Sequence, residues 1–223
     1  MPIAELGRHG RLARGPLVRA RFVALGAEES AALLTMHHIV SDGWSLGVLL
    51  REIGAIYPAF ARGDSSPLPE LPLQYADFAR WQRSWLQGEV LERQLGYWTA
   101  QLAGAPALLE LPTDRPRPAV QTYRGASAGV ALPPTLSAAV RDLCRREEVT
   151  PFMVLLAAWA AVLGWHAGQE DLLVGSPIAG RNRREIEDLI GFFVNTLVLR
   201  TDVAGEQTFQ QLLGKVRETA LDA

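Results

Sequence analysis

Met36-His37-His38-Ile39-Val40-Ser41-Asp42-Gly43-Trp44-Ser45 sets two adjacent histidines, an aspartate four positions after the second and a glycine behind it in one short stretch. Histidine is the side chain whose unperturbed pKa lies closest to working pH, so it serves as a general base without extreme tuning. The aspartate is placed to orient or anchor, and the glycine lets backbone and substrate approach closely. Just upstream, Val18, Ala20, Phe22 and Ala24 alternate with Arg19 and Arg21, which predicts a half-buried strand over residues 16–25. A turn at 26–29 and an apolar run at 31–36 complete a hairpin, so the histidine pair falls at a strand end. Downstream, Leu46, Leu49, Leu50, Ile53 and Ile56 predict a helix over 45–61, with Pro58 bending or shortening its last turn. A strand end meeting a helix start combines a rigid base with exposed backbone N–H groups.

Helices are predicted over 74–86 and 89–102, where Tyr75, Phe78, Trp81, Trp85 and Trp98 suit wide packing surfaces. A loop over 104–121, carrying Pro106, Pro112, Pro116 and Pro118, marks a crossing between two parts of the chain. Beyond it the pattern predicts a strand over 123–132 and a helix over 133–147. A buried helix follows, capped by Thr150-Pro151. A short strand over 171–175, a charged loop or short helix over 180–187, a strand over 194–203 and an amphipathic helix over 208–221 complete the reading. Strands and helices mix in both halves, which defines an α/β or α+β layered protein.

The chain of 223 residues is 48% hydrophobic, enough for a real core in one large domain or two small ones. The net charge is −2 with both signs interspersed, which excludes a nucleic-acid stripe or a polybasic membrane patch. The lone cysteine, Cys144, excludes an internal disulfide and a cysteine metal site, and is read as a buried small hydrophobe. No signal pattern opens the chain, and the most apolar run (152–165) is shorter than the ~20 residues of a membrane span. A soluble, cytoplasmic protein is expected.

Four readings compete for the histidine loop. Satisfied packing is the plainest. A metal site is disfavoured because neighbouring residues on a strand face opposite ways, and no third histidine lies nearby. Gly43-Trp44-Ser45-Leu46-Gly47 matches the G-x-S-x-G elbow of serine hydrolases, but chain order leaves His166 as the sole downstream histidine. His37-x-x-x-x-Asp42 has the spacing of membrane glycerolipid acyltransferases, whose membrane segments are missing here.

The run from His37 to Gly43 resembles the HHxxxDG motif of the condensation domains of nonribosomal peptide synthetases, relatives of chloramphenicol acetyltransferase. Tyr75-Ala76-Asp77-Phe78-Ala79-Arg80-Trp81 resembles that family's Y-x-D-[FY]-A-x-W segment, and the stretch from Ile190 to Arg200 resembles its G-x-F-V-N-T…R segment. The stretches 109–118 and 175–181 are also similar to the family. The resemblance implies two mixed-sheet lobes with helices and a tunnel between them. A full domain of the family is roughly twice this long. The resemblance therefore implies an internal fragment: 1–115 the C-terminal part of the first lobe, with the HHxxxDG loop, and 116–223 the N-terminal part of the second. Exposed sheet edges would follow.

The implied reaction is aminolysis of a carrier-bound acyl thioester by the amine of a carrier-bound aminoacyl group, within a larger synthetase. A non-catalytic carrier-docking remnant is the alternative outside enzymology. By resemblance His38 stands at the reacting centre, as general base or as hydrogen-bond anchor for the amine, and His37 shapes the loop. Asp42 is structural, tied to an arginine expected upstream of the whole fragment, with Arg200 as the local alternative. Gly43 leaves room for substrate. Trp44, Ser45, Tyr75, Asp77, Trp81, Asn195 and Arg200 are tunnel-lining or structural. Arg181, Arg183 and Arg184 are either a solvated cluster or a contact for an acidic carrier or a phosphate. No metal and no directly bound cofactor are expected, since the substrates ride on phosphopantetheine. The implied partners are upstream and downstream peptidyl carrier domains and an adenylation domain.

Overall fold

The apolar alternation on either side of residues 25–29 pairs as an antiparallel hairpin of β1 (Val18–Ala24) and β2 (Ser30–Met36), with Val18 opposite Met36 and Ala24 opposite Ser30. The computed structural model describes residues 12, 14–120, 122 and 125–223. The hairpin is closed by Leu25 N–H donating to Glu29 C=O at 2.8 Å. The expected half-burial of β1 is not found: all its residues are exposed, Phe22 to 79%. Alternation marks the apolar face of a strand, but burial needs a partner surface over that face.

Helix α1 (Gly43–Ala61) starts two residues before the predicted 45 because Asp42 caps it, and it continues through Pro58 to Ala61. α2 (Tyr75–Trp85) opens on a capping box in which Gln74 N–H donates to Asp77 Oδ2 at 3.0 Å, and α3 (Gly88–Gln101) follows. Residues 125–133 hold no regular structure, and Val130 and Leu132 are exposed. The predicted 123–132 strand is therefore absent over 125–132, and its first two residues lie outside the described ones. The Gly125-Ala126-Ser127-Ala128-Gly129 stretch offers little side chain to pack, which weakens any strand there.

Next come α4 (Pro134–Glu147) and α5 (Pro151–Ala167), the latter capped by Thr150 Oγ1, which accepts from Met153 N–H at 3.3 Å. A two-stranded sheet of β3 (Asp171–Ile178) and β4 (Asn195–Asp202) and the helix α6 (Phe209–Asp222) complete the order. The mixed α/β class is thus observed, with two small sheets among the described residues.

The described residues form two compact units. One joins the described residues up to Glu92 with Pro177–Asn195; the other joins Arg93–Ser176 with Thr196–Ala223. In the second, α5 buries Met153, Leu156, Ala157, Ala160, Leu163 and Gly164, the i, i+3, i+4 stripe of one helix face. Met153, Leu156 and Ala157 pack with Cys144, Leu199, Leu212, Leu213 and Val216, while Ala160 and Leu163 pack with Leu172. The opposite face of α5 is not core: Trp159 and Trp165 are exposed, Trp165 to 80%. Cys144 is buried as expected of a small hydrophobe.

Arg200 belongs to this unit and acts as a clasp. It forms a two-pronged pair with Asp171 (Nε–Oδ1 2.9 Å, Nη2–Oδ2 2.7 Å) while Nη1 donates to the carbonyls of Gln101 and Ala103, at and just past the end of α3. In the first unit the core is Ile186, Leu189 and Phe193, packed with Leu71, Tyr75 and Phe78. Among the described residues no single helix is long and apolar enough to cross a membrane.

Candidate active site

β2 ends at Met36, and the chain leaves it through two histidines in different conformations. His37 is extended (φ −74°, ψ 135°), and its N–H donates to Leu17 C=O at 2.8 Å. Its Nδ1 accepts from Ile39 N–H at 3.1 Å, so the His37 ring caps the single 3-10 turn His38–Val40. That acceptor role puts the proton of the neutral ring on Nε2. His38 is the first residue of the turn rather than a strand residue, and its side chain is exposed. Its imidazole meets the Phe192 ring edge to face, centroids 5.2 Å apart and planes at 89°.

The aspartate is spent on architecture. Asp42 Oδ1 accepts from Ser45 N–H at 2.8 Å, the N-cap bond of α1, and Oδ2 accepts from Phe193 N–H at 3.0 Å. Arg181 Nη2 stands 3.3 Å from Oδ1, and both side chains are 1% exposed. Among the described residues Arg181, not Arg200, is therefore the partner of Asp42; Arg200 is engaged with Asp171. The same guanidinium donates through Nη1 to the carbonyls of Ile186 (2.6 Å) and Leu189 (2.8 Å) and through Nη2 to Ser45 Oγ (2.8 Å). It lies 3.9 Å over the Phe193 ring and 5.9 Å from that of Trp44. Burial pushes the Asp42 carboxyl up, but the N–H groups of Phe193 and Ser45 and the Arg181 charge outweigh it and hold the pKa below the usual carboxylate value.

Ser45 is a junction. Its hydroxyl donates to Gly191 C=O (2.8 Å) and accepts from Gly191 N–H (3.1 Å) and from Arg181, which uses its one proton and both lone pairs. At 1% exposure, with no histidine among its partners, it is no nucleophile, and the hydrolase reading of 43–47 fails on geometry. A fluorophosphonate probe is expected to leave Ser45 unlabelled, as read by peptide mass spectrometry. Labelling there would reverse this conclusion.

Two glycines allow the close approach of these segments. Gly180 has φ +64°, and a Cβ there would sit 2.1 Å from Phe193 O; a Cβ on Gly191 would sit 2.2 Å from the Tyr75 ring. Tyr75 completes the clamp by donating its OH to Phe192 C=O at 2.7 Å. Gly191→Ala is expected to destabilise by about 1–3 kcal/mol through overpacking against Tyr75, measured by denaturant unfolding. Wild-type stability in that variant would show that the Tyr75 contact yields freely.

The other sequence candidates divide. Trp44 donates from Nε1 to Glu187 C=O at 2.9 Å and belongs to the network. Asp77 caps α2, and Trp81 stacks on Trp85 under the Arg183 guanidinium, at 5.5 and 4.6 Å. The basic cluster is therefore not one surface: Arg181 is buried, Arg183 covers Trp81 and Arg184 is exposed. Asn195 opens β4 and is exposed. Around Gly43 a Cβ would meet nothing within 4 Å, so the loop has open space in front of it. A cleft of about 480 Å³ beside His38 has Leu34, Met36, Leu46, Leu49 and Leu50 in its walls. Among the described residues no three or more His, Cys, Asp or Glu side chains converge as a metal site. The contacts of Arg181, Gly191 and Phe192 have no signal in the sequence: the 175–181 and 190–200 stretches contain these residues without marking what they touch.

An exposed imidazole on a pinned turn, with its neighbouring carboxylate buried and charge-paired, has the chemistry for proton and hydrogen-bond work and lacks the geometry of a relay or a covalent nucleophile. The condensation-domain family model matches residues 3–223. A component of the linear gramicidin synthase of Brevibacillus parabrevis is 55% identical over the whole chain, which spans 3% of that protein's length. The X-domain in the complex with OxyB from teicoplanin biosynthesis superposes with a TM-score of 0.89 at 28% identity, over 98% of this chain and 50% of that one. The first condensation domain of the CDA synthetase, at 24% identity and a TM-score of 0.71, shares the fold over 93% of this chain and 46% of its own. The chain belongs to the condensation-domain family and has its chloramphenicol acetyltransferase-like fold.

Proposed function

We propose that this chain supplies the histidine loop for amide formation between two carrier-bound acyl groups in a larger synthetase. The observation that supports this reading is the exposed His38 imidazole on a turn held on one side by the His37 ring and on the other by the Asp42 cap of α1. His38 takes up the amine of the acceptor aminoacyl thioester by hydrogen bond and receives its proton as nitrogen attacks the donor carbonyl. The C–N bond forms, the C–S bond breaks, and the proton passes to the departing carrier thiolate. Holding both thioesters in reach of one another supplies the larger part of the acceleration. Gly43 and the open space before it admit the reacting groups.

No cofactor is held by the domain in this reading. The substrates arrive on the phosphopantetheine arms of an upstream and a downstream carrier domain, and an adenylation domain of the same synthetase loads them. The setting is cytoplasmic, and residues 1–115 and 116–223 contribute to the first and second lobes.

The test is an assay of the full polypeptide with a donor carrier bearing a labelled acyl group and an acceptor carrier bearing an aminoacyl group. Label transferred to the acceptor as an amide supports the reading. Binding of both carriers without transfer would instead mark a docking remnant.

A further inference from the structure

We propose that Phe192 is a specificity-determining residue that limits the bulk of the acceptor amino acid. The inference rests on the placement of His38 at the reacting centre. Phe192 and Phe193 are neighbours with opposite fates. Phe193 is buried under the Arg181 guanidinium, whereas Phe192 keeps 38% of its surface exposed while touching His38 edge to face.

The mount of this ring is rigid. Gly191 gives both its N–H and its C=O to Ser45 Oγ, Phe192 C=O accepts from Tyr75 OH, and Phe193 N–H donates to Asp42. Three side chains thus hold three consecutive residues, so the base of the ring cannot move aside for a larger substrate group. Distances decide what the ring meets. An amine hydrogen-bonded to the imidazole lies about 3 Å from a ring nitrogen. Its α-carbon lies about 1.5 Å further on, so the α-substituent begins at roughly the range where Phe192 stands. The acceptor class that fits is an aminoacyl thioester with a small side chain.

The experiment compares kcat/KM for alanyl- and phenylalanyl-loaded acceptor carriers in the full polypeptide, with one fixed donor. Phe192→Ala is expected to raise the phenylalanyl-to-alanyl ratio at least about tenfold, the scale on which pocket size discriminates. Phe192→Leu, which keeps apolar cover, moves the ratio the same way by less, and Phe192→Trp lowers it. A ratio that stays put or falls in Phe192→Ala overturns the inference. His38→Ala in parallel separates the two levels. Full turnover there removes the reading on which the inference rests; an inactive His38→Ala beside an unmoved Phe192→Ala ratio removes the inference alone.

Discussion

Asp42→Ala is expected to cost about 3–5 kcal/mol of stability, because it leaves the Arg181 cation buried without its counter-charge. Phe193 N–H and Ser45 N–H lose their acceptors in the same step, and α1 loses its cap. For a chain of this size the melting temperature falls by roughly 6–20 °C, or soluble protein is lost altogether. Removing both ends, as Asp42→Ala with Arg181→Met, is expected to recover much of the loss, and a double-mutant cycle measures the coupling. A single Asp42→Ala variant that melts with the wild type yet is inactive would show that the carboxylate takes part in the chemistry. The sign of the pH dependence follows from the depressed pKa. A carboxylate held below its ordinary value of about 3.9 stabilises the fold fully above that value, and the contribution fades as pH falls through the lower, folded value. Thermal melts should therefore show no Asp42-dependent change across neutral pH and a drop below about pH 4.

His38→Ala carries the largest expected effect on activity and little on stability. Loss of a positioned base slows amide formation by about 10²–10⁴-fold. The ring is exposed and its one aromatic partner, Phe192, is itself part-exposed, so the variant should unfold within about 0.5 kcal/mol of wild type. Single-turnover transfer between loaded carriers, with a parallel melt, checks both halves. Full transfer by His38→Ala sinks the assignment of His38.

The contrast between the two variants separates what each residue is for. Close together in one loop, His38 is mounted to be reached, while Asp42 and Ser45 are mounted so that they cannot be. Pattern matching reads 43–47 as a nucleophile elbow, but the hydroxyl there is saturated by Arg181 and Gly191. Tyr75 likewise reads as a packing residue of an aromatic helix, and its packing turns out to hold the backbone beneath Phe192. Arg181 is hidden from the sequence as the partner of Asp42 for a physical reason. Arg181 opens a run with Arg183 and Arg184, and a cluster of cations on a polar loop is usually solvated. Gly180, left-handed and packed against the Phe193 carbonyl at a spacing no side chain would permit, lets the next residue, Arg181, lay its guanidinium over the Phe193 ring.

What the sequence determined by itself is what local rules govern. The hairpin, the six long helices of the described residues to within two or three residues at each end, the Thr150 cap and the motif order that places the chain in its family all depend on neighbours in the chain. Tertiary structure alone decided what depends on residues more than a hundred positions apart. Asp42 reaches Arg181 and Phe193, Ser45 reaches Gly191, and Tyr75 reaches Phe192. It also decided which faces are covered: β1 alternates but is exposed, and α5 is apolar all round yet buried on one side. A sequence pattern records which face prefers burial; only the packed partner supplies the surface that removes it from water.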